Sequence, residues 1–341
     1  MAFIAIIGLQ GAFAQGSTTS SLSGVVKDAS GEAVPGATII AVHTPTGSQF
    51  GNASSANGNF IIRNMNVGGP YKITVSFVGF QDQVKDGVYL NLGQTLNLTF
   101  QMSEEAVEIG EVVITGSRTG ELIDGERTGA ETNVSEEMLG ALPNASRSLN
   151  DFTRLTPQAS FNGSGLSIAG TNNRYNAVFI DGAVNNDVFG LAGNGQNGGQ
   201  IGISPISVDA ISQIQVLVSP YDVTKGGFAG GGINAVTRSG SNKLEGSVYH
   251  MMRSEGLSGK TPTAVSEDNR TKLDDFSANI TGFRLGGALK KDKLFFFVNG
   301  EIENRENPRP FDFNNYTGDL SRADVEGFVN KLKNDYNYDP G

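Results

Sequence analysis

The chain has 341 residues, of which 38% are hydrophobic and 18% charged. At ~150 residues per domain this is two or three domains with enough apolar matter for buried cores and too little charge for a disordered chain. Its 46 Gly, with abundant Asn and no Cys or Trp, favour short strands joined by turns over a mostly helical protein and exclude disulfides, thiolate metal sites and a lipidated N-terminal Cys. The net charge of −10 speaks against nucleic acid as a partner, and −8 of it lies in residues 103–137, where ten acids meet two arginines.

Residues 2–9 form a short apolar run, and Ala12-Phe13-Ala14 before Gln15 has the small-x-small form cut by signal peptidase. Residues 1–14 therefore read as the end of a secretory signal peptide. The first basic residue is Lys27, so the basic n-region is missing and the true start is expected upstream of Met1. No run of 18 apolar residues occurs, and no transmembrane helix is expected.

Residues 22–102 run in short β-type segments: 22–27, 37–42, 59–63, 71–77, 87–91 and 95–102. Turn signals separate them at Asp28-Ala29-Ser30-Gly31, Ala56-Asn57-Gly58-Asn59 and Val67-Gly68-Gly69-Pro70. About seven strands at this spacing predict a β-sandwich. Gly24-Val25-Val26, Pro35-Gly36-Ala37-Thr38, Asn57-Gly58-Asn59-Phe60 and Val78-Gly79-Phe80 resemble the carboxypeptidase regulatory-like (prealbumin-like) domain. The sequence holds no His-x-x-Glu or comparable zinc ligand set, so the resemblance implies an accessory module and not a peptidase.

Residues 103–134 read as an acidic tether. Within it Val112-Val113-Ile114-Thr115 is an extended apolar strip, suited to lending its backbone to another protein's sheet edge, or to a plain edge strand. Glu111-Val112-Val113-Ile114-Thr115-Gly116 resembles the TonB box of Gram-negative outer-membrane receptors, which implies TonB, with ExbB-ExbD, as a partner.

In residues 135–240, Val178-Phe179-Ile180-Asp181-Gly182 is a strand ending in a turn and residues 206–218 are a helical turn feeding a strand. A Gly-rich bend at 226–232 then precedes another strand. With Asn173-Arg174-Tyr175-Asn176, the run 181–190 and Pro205-Ile206-Ser207-Val208-Asp209-Ala210-Ile211, this series resembles the plug of TonB-dependent receptors of the Oar-like branch. The resemblance implies Arg174, Tyr175, Asn185, Asn186 and Phe189 as apex residues for an extracellular ligand; turn stabilisation is the other reading of the same residues. Gly193-Asn194-Gly195-Gln196-Asn197-Gly198 fits G-x-G-x-x-G, but no helix pattern follows, which removes the reason a pyrophosphate would bind there. Asp181, Asn185, Asn186 and Asp187 carry oxygen donors fit for Ca²⁺ but lack EF-hand spacing, and as turn-forming Asx residues they need no metal.

In residues 241–341 the strands lengthen. Leu294, Phe296, Val298, Gly300 and Ile302 alternate with Phe295, Phe297, Asn299, Glu301 and Glu303, the dyad pattern of a transmembrane β-strand. Lys290-Lys291-Asp292-Lys293 is a turn back to a strand at 276–289, 244–253 is a first strand, and Ser321-Arg322-Ala323-Asp324 starts a helix to about Leu332. A barrel of twenty-two strands needs at least ~200 residues in strands at ~10 per strand, so the chain is expected to be an N-terminal fragment of an incomplete barrel.

The expectation is a mainly β protein of the outer membrane: a prealbumin-like β-sandwich and an α+β plug facing the periplasm, then the first strands of a transmembrane β-barrel. It would import a scarce ligand by TonB-driven plug displacement, without a catalytic constellation, metal or cofactor. An Oar-like protein of adhesion, surface organisation or protein export is the rival. His43 and His250 are too few for a His-rich metal centre.

Overall fold

A computed structural model of the chain describes residues 18–104, the backbone of 113–115, and residues 130–219, 228–260, 270–307 and 318–339, without 143, 145, 146, 163, 164, 188, 190, 191, 193, 194, 196, 200–203 and 271. The expected signal peptide lies outside these residues. The described residues up to Val248, together with Phe283–Gly300, form one compact unit, and Tyr249–Gly282 with the residues from Glu301 onward form a second.

The first unit begins with seven strands: β1 (Ser20–Asp28), β2 (Thr38–His43), β3 (Ser48–Ala53), β4 (Asn59–Met65), β5 (Gly68–Ser76), β6 (Gln83–Leu90) and β7 (Thr95–Met102). They build two sheets, β4-β1-β7 and β3-β2-β5-β6, the second extended past β6 by the short strand β8 (Val113–Thr115). Alternate residues are buried along β2 and β4, as period-2 strands between core and solvent require. Leu22, Val26, Ile39, Ala41, Phe60, Ile62, Tyr71, Ile73, Val75, Phe100 and Met102 form the core between the sheets. Each aliphatic or aromatic side chain fully removed from water there contributes about 1.5–3 kcal/mol. The buried Tyr71 keeps its polar end satisfied by donating to the Asn66 carbonyl at 2.7 Å. At Gly24 β1 packs against β7 with no room for a side chain: a Cβ there would lie 1.9 Å from the Leu98 carbonyl oxygen.

Two local expectations are corrected. The polar segment Ser48–Ala53 is an edge strand that its composition, without apolar alternation, did not disclose. The expected turn at Val67-Gly68-Gly69-Pro70 instead supplies the first residues of β5, whose pairing with β6 shifts register between Gly68 and Tyr71.

Next come β9 (Ala130–Val134), α1 (Glu136–Ala141), α2 (Leu149–Thr153), β10 (Ala159–Asn162), β11 (Gly165–Ile168), β12 (Ala177–Ile180), β13 (Ala183–Val184), β14 (Ile211–Ser219) and β15 (Gly232–Thr237). Ser135 and Ser148 cap the two helices by accepting from Met138 N and Asn150 N. Five strands form one sheet, β13-β12-β15-β14-β9, in which β12 and β15 run parallel and the other pairs antiparallel. β12 and β15 are buried along nearly their whole length; β12 is a continuous apolar run, whereas β15 carries the buried Asn234 among its apolar residues. Residues 130–134, counted with the tether from sequence, are the edge strand of this sheet. Val134, Leu149, Phe152, Leu166, Ile168, Val178, Ile211, Ile214, Val216, Ile233 and Ala235 make its core.

The last strands are β16 (Glu245–Ser254), β17 (Ser277–Lys290) and β18 (Leu294–Glu306), neighbours in that order. Val248, Met252, Phe283, Leu285, Leu289, Leu294, Val298 and Ile302 are exposed at positions of one parity per strand. On the alternate parity Arg284 Nε donates to Ser247 Oγ at 3.0 Å, and Tyr249 donates to Glu301. An apolar outward face backed by hydrogen-bonded polar residues is the pattern of a wall between lipid and an aqueous lumen. α3 (Arg322–Tyr336) opens on the expected capping box of Ser321 and Asp324 and runs one turn beyond the expected end, to a left-handed Asn337.

Candidate functional site

β12 ends in Asp181-Gly182, both at positive φ, and returns as β13. Two left-handed residues in a two-residue loop suit the twist of a tight hairpin. Asp181 then fastens the hairpin to the end of β15, its carboxylate accepting from Thr237 N at 2.8 Å and Thr237 Oγ1 at 2.7 Å. Asn186 Oδ1 accepts from Val178 N at 2.7 Å, and Asp187 accepts from Phe189 N at 3.1 Å and Ala192 N at 2.6 Å. The four oxygen-bearing residues weighed for Ca²⁺ are thus largely engaged in shaping this loop. Asn185 Oδ1 is buried without a partner among the described residues.

On the other side, Asn172 caps a 3-10 turn over Asn173–Tyr175 by accepting from Arg174 N at 3.0 Å. Asn176 follows, buried, and joins β11 to the Gly-rich bend: its Nδ2 donates to the Leu166 carbonyl at 2.8 Å and its Oδ1 accepts from Gly231 N at 3.0 Å. The Gly-rich bend packs onto this turn because it lacks side chains. A Cβ at Gly231 would fall 2.4 Å from Ile168 Cγ2, and one at Gly230 2.6 Å from Asn176 Oδ1.

The turn and the loop together enclose a cavity of about 250 Å³ lined by Arg174, Asn176, Asn186, Asp187, Phe189, Ala192 and Gly195. Of the five apex residues named from sequence, Arg174, Asn186 and Phe189 line it. Tyr175, the last residue of the turn, is exposed, and both it and Asn185 are outside the lining. Asn176 and Asp187 join the lining without having been named for it; both lay inside the motifs that carried the resemblance. The wall combines a cation, an acid, two amides and an exposed ring, a set suited to a polar ligand with some apolar surface. Among the described residues no three His, Cys, Asp or Glu side chains come together as a metal site.

The tether motif has a different setting. Val113, Ile114 and Thr115 pair in parallel with Val84, Lys85 and Asp86 of β6, so this strip is a strand of the sandwich's own sheet. Glu111, Val112 and Gly116 lie outside the described residues.

A third feature was not read from sequence. Leu92, after β6, is fully buried against β14 of the five-stranded sheet: its N–H donates to Gln213 Oε1 at 2.9 Å and its carbonyl accepts from Gln215 Nε2 at 2.9 Å. Gln215, itself fully buried, also donates to Glu131 of β9 at 2.9 Å. Isolated glutamines in the strand 211–219 carry no local signal of an interdomain joint. At the far end of that sheet, Arg238 bonds Glu136 in the first turn of α1; burial pulls its guanidinium below the usual range and Glu136 opposes this.

Comparison with known proteins adds three family matches in chain order. Residues 21–103 match the carboxypeptidase regulatory-like domain, 122–233 the TonB-dependent receptor plug domain and 236–340 an outer membrane beta barrel domain. The chain is 30% identical over 306 residues to the TonB-dependent transporter Oar of Myxococcus xanthus, covering 84% of this chain and 27% of that protein. The chain thus spans about a quarter of the length of that curated relative. Among solved structures, the outer membrane transporter YddB of Escherichia coli is similar at 19% identity and TM-score 0.36, over 52% of this chain and 26% of that one. Hydroxyquinol 1,2-dioxygenase of Pseudomonas putida DLL-E4 is similar at 11% identity and TM-score 0.22, over 28% and 63%.

Proposed function

We propose, from the premise that this chain belongs to the TonB-dependent outer-membrane receptors, that it forms the N-terminal part of a transporter importing a scarce ligand when TonB pulls on the tether and displaces the plug. The observation that carries this reading is the point where the tether enters the plug. It joins β9, the edge strand of the five-stranded sheet, paired among the described residues on one side only, with β14. A pull on the tether therefore reaches a strand that can be stripped away while the β12-β15-β14 centre stays paired.

TonB, energised by ExbB-ExbD, is the partner that would supply the pull through Glu111, Val112, Val113, Ile114, Thr115 and Gly116. The protein is a non-enzymatic receptor of the outer membrane. Its orientation is supported by contacts at one end of the strands. Asn242 N donates to the Pro45 carbonyl of the sandwich at 2.8 Å, while Asn242 and Asp292 exchange hydrogen bonds of 2.8 and 2.9 Å at the short turn between β17 and β18. Short turns of such barrels face the periplasm, which supports a sandwich and tether on the side where TonB is found. The ligand reaches Arg174, Asn186 and Phe189 from the opposite side, with Tyr175 and Asn185 supporting their loops.

Deleting residues 111–116 from the full-length protein tests the mechanism. Membrane insertion is expected to persist while energised uptake is lost; unchanged uptake would refute TonB-driven import.

A further inference from the structure

β6 would be the edge of its sheet if β8 were not there. Its outward N–H and C=O groups would then be open to any extended backbone. Three residues of the tether close that edge in register, Val84 to Val113, Lys85 to Ile114 and Asp86 to Thr115. The chain is anchored shortly before this point, where Glu104 bridges Phe80 and the Ser103 carbonyl accepts from Gln81 N at 2.9 Å. Eight residues separate Glu104 from Val113, a reach of at most ~32 Å. A strand held that near its edge competes at an effective concentration on the order of millimolar.

We propose that the sandwich holds the TonB-recruiting segment in cis, β6 serving as the docking edge and Val113–Thr115 as its occupant, so that TonB must compete with the sandwich for this strand. The proposal rests on the reading of residues 111–116 as the TonB-interacting motif. Strand addition recognises backbone, so one extended segment can serve either partner in turn. A three-residue pairing is short enough to be displaced and long enough to lower the share of receptors with an available motif. The sandwich thereby gains a role in regulation without a catalytic group.

These 341 residues hold no Cys, and any Cys in the rest of the receptor is first replaced by Ser. In the full-length receptor in detergent, Lys85→Cys with Ile114→Cys should oxidise to a disulfide as readily as Val42→Cys with Lys72→Cys, a pair opposed in β2 and β5. The locked receptor should bind the periplasmic domain of TonB at least tenfold more weakly than the same receptor after reduction. Asp86→Pro provides a second measurement outside the motif. Asp86 is in register with Thr115 of β8 and with no residue of β5, so the change spares the β5 pairing and, beside the docking edge, removes only the bond its carboxylate accepts from Gly87 N at 2.8 Å; TonB affinity should rise roughly three- to tenfold.

Failure of the disulfide to form, equal binding by locked and reduced receptor (TonB adding to the outer edge of β8), or no gain from Asp86→Pro would each overturn the proposal. A synthetic peptide of residues 105–120 separates this from the reading beneath it. If the peptide does not bind TonB, TonB recognition itself fails, whatever the variants do; if it binds while the variants behave as the intact receptor, only the cis capture fails.

Discussion

Asn176→Ala should detach the Gly-rich bend from the turn that carries Arg174. Asn176 is 6% exposed and makes two buried hydrogen bonds, to the Leu166 carbonyl and from the Gly231 amide. Truncation leaves both backbone groups without this partner. An unpaired buried group costs about 1–3 kcal/mol; the carbonyl, with two lone pairs, belongs at the low end and the amide nearer the middle. The sum is about 3 kcal/mol. With a urea dependence of about 1.5 kcal/mol/M for a domain of this size, the midpoint falls by about 2 M. The matched control is Asn52→Ala, which removes a similar bond to the Ile61 carbonyl at an exposed site and should cost no more than about 0.5 kcal/mol. Urea unfolding of residues 18–240, followed by hydrogen exchange resolved to peptides of the plug, separates this transition from that of the sandwich. The Gly231 amide should lose protection first. A midpoint shift below about 0.3 M, with Gly231 still protected, would refute the role given to Asn176.

His43, buried beside Tyr71 and Thr46, has its pKa pulled down to about 4 by desolvation. The unfolded chain, at about 6.5, binds the proton more readily, so stability of the sandwich is full above pH 6.5 and falls as the pH drops toward 4. The loss is about 2 kcal/mol at pH 5, and His43→Gln should flatten the difference between unfolding midpoints at pH 7 and pH 5. Gly231→Ala forces a methyl group into the Ile168 side chain and should destabilise the plug by about 1–3 kcal/mol; the cost should shrink in combination with Ile168→Ala, and strict additivity of the two would contradict the packing. Gln215→Leu removes the bonds to Leu92 and Glu131 and should cost about 2 kcal/mol, read as faster hydrogen exchange at Leu92; unchanged protection would mean the joint does not depend on it.

What residue order determined by itself is local. Short β-type segments between turn signals marked most strands of the sandwich, the dyad of 294–303 marked a membrane-type strand, and Ser321 with Asp324 marked a helix start three residues apart. Asp181-Gly182 disclosed a turn because only a few residue types accept two successive left-handed conformations. Motifs in the right order also carried the family resemblance and, with it, Arg174, Asn186 and Phe189 of the cavity wall.

The tertiary structure decided the partners. Ser48–Ala53 is a strand because β2 lies beside it, not because its own residues alternate. Ala130–Val134 belongs to the plug through β14, although its composition continues that of the tether. Gln213 and Gln215 look like ordinary polar positions until Leu92 arrives from more than a hundred residues away. The strip Val113–Thr115 shows the reason most plainly. Its extended, strand-forming character is written in its side chains, whereas the edge it pairs with is offered by backbone N–H and C=O groups that every residue but proline carries alike.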